Sequence, residues 1–150
     1  MFRDGSARLL VFRLGAELYG VDVQRVGEVI DLPAVQRIPD VSATVLGVAS
    51  VRGTLVTIYD ARAVLQLSQH STSAALLFDC GAGRVGLAVS DVVDTVAVTE
   101  EAMRPAPAAA AGDGLLLGIV RRGANLIAVL DADALLTAAG ADGEGGARED

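Results

Sequence analysis

The chain has no tryptophan, no lysine, one cysteine and one histidine in 150 residues, and only 3% of it is aromatic. Each shortage excludes something. A single cysteine, Cys80, cannot close an intramolecular disulfide, so a disulfide-stapled secreted domain is ruled out. At the end of an expected strand it reads as a small, half-buried hydrophobe. The one histidine, His70, lies in the polar run 68–73, a linker composition, with no second His or Cys nearby in sequence, and reads as a solvated loop residue. All twelve basic residues are arginine, and nineteen acidic residues leave a net charge of −7. That balance argues against a nucleic-acid partner, which requires clustered positive charge. No run reaches the roughly 18 apolar residues of a membrane helix, and residues 1–8 carry no signal-peptide pattern, so a cytoplasmic protein is expected.

What is present is aliphatic. The apolar fraction is 52%, mostly Ala, Val and Leu, a composition that favours strands wherever Val and Ile alternate. The chain also repeats itself. At an offset of 66, Leu10, Phe12, Gly15, Ala16, Gly20, Val23 and Val26 are matched by Leu76, Phe78, Gly81, Ala82, Gly86, Val89 and Val92. At an offset of 71, Leu46 and Gly47 answer Leu117 and Gly118, and Asp60 answers Asp131. The five added residues fit the loop-like insertion at 105–112.

Each half shows strand periods. Residues 10–14 alternate, turn at Gly15, Ala16 and Glu17, and return over 18–23 as a hairpin; residues 76–79 and 85–89 repeat it. A second hairpin is expected over 45–51 and 54–59, with a turn at Arg52 and Gly53. Val26, Val29 and Ile30, at i, i+3 and i+4, suggest a short helical turn within 24–30. Asp60 and Asp131 are expected N-caps of short helices over 61–67 and 132–139. Short strands at this spacing imply a small barrel in each half.

Little in this pattern supports catalysis. The carboxylates of Asp60, Asp79, Asp91, Asp94 and Asp131 fall at turns and helix starts, where capping and solvation account for them. Gly81, Gly83 and Gly86 match G-x-G-x-x-G by letters, but they sit in a hairpin instead of opening a long helix. No catalytic residue, metal ligand or cofactor site is assigned. Core building leaves Arg52 unexplained: an arginine at a hairpin tip, followed by glycine, projects from a rigid base.

From about residue 9 to 136 the chain resembles the CheW family of chemotaxis coupling proteins. The resemblance is carried by the opening hairpin, by Tyr19 through Ile30, and by Gly47 through Asp60, which looks like the family's G-x-x-N-L-R-G-x-x-x-P-x-x-D stretch. Residues 85–94, 101–107, Leu117 with Gly118, and Leu130 with Asp131 complete it in order. It implies a mainly β fold: two SH3-like five-stranded barrels related by the internal repeat, with short helices. The expected boundaries are a flexible N-terminus at 1–8, barrels at about 9–67 and 74–138 with strand exchange between them left open, and a disordered acidic tail at 139–150.

The resemblance further implies a non-enzymatic adaptor, found in the cytoplasm at membrane-associated receptor arrays. Its partners would be the regulatory domain of a CheA-type histidine kinase and the cytoplasmic tip of methyl-accepting chemoreceptors, the latter docking as a helical hairpin in a groove. Carried over position by position, the partner-binding residues are Val26, Glu28, Val29, Gly47, Arg52, Gly53, Val92 and Val93. Val92 and Val93 would line the second half's equivalent of the first helix, beside the groove; for Val26 and Val92 core packing is an equal alternative. The family's Asn and Leu before R-G are Ser50 and Val51 here, its following proline is Thr57, and a basic residue common in the last helix is Ala134. An adaptor that binds only receptor or only kinase, or a small-molecule-binding barrel, therefore stays open.

Overall fold

A computed structural model describes residues 1–68, 71–81, 83–107 and 114–141. The first half supplies β1 (Ser6–Leu14), β2 (Glu17–Asp22), β3 (Val26–Asp31), β4 (Val45–Val51), β5 (Thr54–Asp60) and the one-turn helix α1 (Ala61–Val64). The second supplies β6 (Ala74–Cys80), β7 (Gly83–Val89), β8 (Asp91–Thr99), β9 (Met103–Pro105), β10 (Leu116–Arg122), β11 (Asn125–Leu130) and α2 (Ala132–Ala139).

The two sheets do not follow the two halves. One is ordered β3-β6-β7-β5-β4 and the other β8-β1-β2-β11-β10-β9, so each half lends its first hairpin to the other's sheet. The exchange is symmetric residue by residue. Val129 lies opposite Gly20 in the parallel pair β11 and β2, and Ile58 lies opposite Gly86 in the parallel pair β5 and β7. Each sheet closes as a barrel through a strand crossing: Gln36 exchanges backbone hydrogen bonds with Val48 at 2.8 and 2.9 Å, and Arg104 of β9 lies opposite Ile119 of β10. Gly47 and Gly118 permit these crossings. A Cβ on Gly47 would stand 2.2 Å from the Gln36 carbonyl oxygen, and one on Gly118 2.5 Å from that of Arg104.

Three apolar clusters follow from the alternation of β1 and β6, which are buried on both faces. Leu9 and Val11 point into one barrel with Val96, Val120, Ile127 and Val129. Leu77 points into the other with Ala49, Val56, Ile58 and Ala88. Leu10, Phe12, Leu14, Leu76 and Phe78 face a shared core between the barrels, together with Leu135 and Leu136 of α2. Phe12 and Phe78 are repeat partners and fully buried, so truncating either to alanine would cost about 3–5 kcal/mol.

The N-caps form as expected. Asp60 accepts from the Arg62 amide, and Asp131 accepts from those of Asp133 and Ala134. Gly140, at φ +87°, and the Ala141 amide, bonded to the Leu136 carbonyl, end α2 in a Schellman-type turn.

Four expectations are corrected. The helical turn within 24–30 is a 3-10 turn, Val23–Arg25, followed by strand β3. Its counterpart around Val92 and Val93 is strand β8. The shorter of the capped helices stops at Val64 instead of Leu67. At the termini, Ser6–Arg8 are not flexible lead-in but pair with Thr99, Val98 and Ala97, and Ala139–Ala141 are buried or capping residues instead of tail. His70 and residues 142–150 lie outside the described residues, as does most of the 105–112 insertion.

The cause of the helix error is a β-bulge. Val26 lies opposite Phe78 and Glu28 opposite Leu77, which leaves Gly27 unpaired. An extra residue in a strand turns i, i+2 into i, i+3 on one face. Val26 and Val29 therefore share the side of Phe78 and Leu76, with the spacing of a helix. Val93 is the corresponding bulge in β8, between Val92 opposite Phe12 and Asp94 opposite Val11.

Candidate functional site

Arg52 and Gly53 form the two-residue turn between β4 and β5, with φ of +50° and +85°. Both central residues of a type I′ turn need positive φ, a conformation that Asn and Gly adopt readily and arginine does not. A non-glycine residue kept there costs on the order of 1–2 kcal/mol of backbone strain. The strain sets a long cation on the tip of a rigid hairpin, with its side chain 63% exposed.

Below it lies Glu28, directly after the β3 bulge and 31% exposed. Its Oε1 accepts from Arg52 Nη2 and, at 2.9 Å, from Arg84 Nη1 on β7. Arg84 Nε also donates to Asp79 at the end of β6, 2.8 Å away. Hydrogen bonding to Arg52, then to Arg84, holds the Glu28 carboxyl below the usual glutamate range. The corner is thus a four-residue chain of alternating charge, Arg52, Glu28, Arg84 and Asp79, drawn from β3, β6, β7 and a turn.

Among the sequence-derived candidates, Glu28, Arg52 and Gly53 come together at this corner. Val29 and Val93 are 41% and 44% exposed on β3 and β8. Val26 and Val92 are partly buried and pack against the shared core, at equivalent seams of the two sheets. Gly47 stands five residues before Arg52 on β4, where the crossing of Gln36 accounts for it. Arg84 and Asp79 were missed. The repeat alignment contained the signal, because it sets Arg84 against Leu18, a charge against a hydrophobe in otherwise similar strands. Among the described residues no three His, Cys, Asp or Glu side chains are gathered so as to hold a metal ion, and no helix is long and apolar enough to cross a membrane.

Two closed β-barrels, each completed by a hairpin from the other half and packed about a common core, define a tandem SH3-like barrel protein. The chain belongs to the CheW family: residues 8–140 match its CheW-like domain. Among curated proteins it is 32% identical to the chemotaxis protein CheW of Klebsiella aerogenes over 85% of this chain and 80% of that one. It is 26% identical to the chemotaxis protein CheW of Treponema pallidum over 85% and 81%. Among solved structures it is similar to the scaffolding protein TtCheW of Thermoanaerobacter tengcongensis, with a TM-score of 0.73 at 22% identity, covering 83% of this chain and 88% of that one. The family is one of chemotaxis scaffolds or adaptors, not of enzymes.

Proposed function

We propose that this chain is a non-enzymatic adaptor coupling chemoreceptors to a CheA-type histidine kinase, and that the Arg52 corner belongs to its receptor contact. Family membership supports the scaffold role. The observation that carries the site is Arg52 itself, an exposed arginine kept at a strained backbone conformation on a barrel hairpin and pre-oriented by Glu28. Strain of this kind persists where surrounding structure over-determines it, and it concentrates at recognition sites. Gly53 and Glu28 would shape this corner, Val29 would add apolar contact from β3, and Val93 would add it from β8 of the other barrel. Val26 and Val92, wedged at the seams, would line the groove between barrels that a helical hairpin enters. Such a scaffold contributes coupling free energy between receptor occupancy and kinase activity, with no turnover of its own.

Titrating the purified chain separately with a kinase regulatory domain and a receptor-tip fragment tests this. Binding to both is expected. If neither binds on the order of tens of micromolar, coupling is wrong. Binding to one alone would favour an adaptor that keeps a single contact, a reading supported by Ser50, which offers one hydroxyl where the family's asparagine offers an amide.

A further inference from the structure

Glu28 is shared unequally. Arg52 and Arg84 donate to the same oxygen, Oε1. Arg84 is one-third exposed and tied to a second carboxylate, that of Asp79. Arg52 is 63% exposed, and among the described residues Glu28 is its one side-chain partner. Two guanidiniums on one oxygen also repel each other, and the more weakly held of the two relieves that repulsion by leaving.

The pocket for Arg84 is built into the backbone. A Cβ on the bulge residue Gly27 would lie 2.9 Å from Arg84 Nη2 and 3.1 Å from Asp79 Oδ2. In the other barrel the corresponding positions hold Val93, Leu18 and Arg13, so the glycine and the arginine are lost together. There Asp94, the counterpart of Glu28, accepts from the Thr95 amide, and among the described residues its one cationic partner is Arg122, at 3.8 Å.

We infer that Arg84 is a positioning residue that keeps Glu28 paired while Arg52 is transferred to a carboxylate on the bound partner. Without Arg84, moving Arg52 would strip Glu28 of its cation and exchange one ion pair for another, with little net gain. With Arg84 in place Glu28 stays neutralised, and the freed fork of Arg52 can meet an acidic side chain bidentately. The inference rests on the receptor reading above.

Its test is titration of the wild-type chain, Arg84→Met, and Arg84→Met combined with Glu28→Gln against a receptor-tip fragment. Arg84→Met locks Arg52 on Glu28 and should weaken binding roughly three- to fivefold, the range of an exposed ion pair. The double variant releases Arg52 from the Glu28 charge and should bind more tightly than Arg84→Met alone, a partial rescue that a merely structural role for Arg84 does not give. Wild-type affinity for Arg84→Met, or a double variant as weak as the single one, overturns the transfer and leaves the receptor reading standing. A wild-type chain that does not bind the tip sinks the receptor reading and the transfer with it. A carboxylate NMR titration needs no partner: in Arg52→Met, Glu28 should still titrate below the ordinary glutamate range, and a return to that range would show that Arg84 does not hold it.

Discussion

At the first barrel's outer hairpin the turn is Arg52 and Gly53, both at positive φ; at the second it is Gly123, at φ +62°, followed by Ala124. The first turn places a cation above a shared carboxylate. The second leaves Arg122 at 3.8 Å from Asp94, beside the apolar Val11, Leu18, Val93 and Ile127, which line a cavity of about 210 Å³. The bulges, strand crossings and crossing glycines coincide in the two barrels, whereas the turn type, the bulge side chain and the charge at Arg84 differ. Repetition thus fixes the frame, and divergence at a few rim positions assigns the barrels different surfaces.

The two barrels also differ at their helix starts. Asp60 and Arg62 form a bidentate ion pair at 2.9 and 2.7 Å with both residues buried, while the residue corresponding to Arg62 is Asp133, which is exposed and bonded to Arg25. Arg62→Ala should therefore cost about 3–5 kcal/mol, because it leaves the buried Asp60 charge without its cation, held by the amide of residue 62. Asp133→Ala should cost at most about 1 kcal/mol. Urea unfolding of both variants compares them, and equal losses would break the asymmetry.

Next in size, Gly47→Ala and Gly118→Ala should each destabilise by about 1–3 kcal/mol through collision with a backbone carbonyl. Similar values would confirm that the crossings are equivalent, and a neutral Gly47→Ala would reopen a surface role for it. Arg52→Ala should move the melting temperature little, since an exposed pair contributes about 0–1 kcal/mol, yet weaken receptor-tip binding; Arg122→Ala should leave binding unchanged. Equal effects on binding would erase the functional difference between the corners.

The smallest effect is one of pH. The folded-state pKa of Glu28 is depressed, so its pairing contributes stability that is complete above the ordinary value of 4.5 and fades as pH falls below it. Wild type and Glu28→Gln should therefore differ most near neutrality and converge in acid, a trend that melting temperatures across pH would show.

Much of this frame was legible because a repeat exposes itself: matched Gly20 and Gly86, Phe12 and Phe78, and Asp60 and Asp131 marked the hairpins, the core and the caps. Strand exchange stayed open in the sequence, since a continuous apolar run such as 74–78 shows that a strand has two buried faces but not which neighbour covers each. The bulge at Gly27 deceived because one unpaired residue converts strand spacing into helix spacing. At the site, Arg52 stood out by its turn, whereas Arg84 did not, because Asp79 faces it across an ordinary hairpin and Glu28 reaches it only when β3 of the first half pairs with β6 of the second.

The exchange of hairpins carries a consequence for synthesis. When residues 1–67 have left the ribosome, β1 has its hairpin mate β2 but neither β8 nor the β11 neighbour of β2, which still await translation. Leu9 and Val11 then lack Val96 and Val98 until β8 emerges, and Val120, Ile127 and Val129 until about residue 130. The nascent chain thus passes through an interval in which an aliphatic strand lacks its cover, and that interval is when a holding chaperone would matter most to its yield.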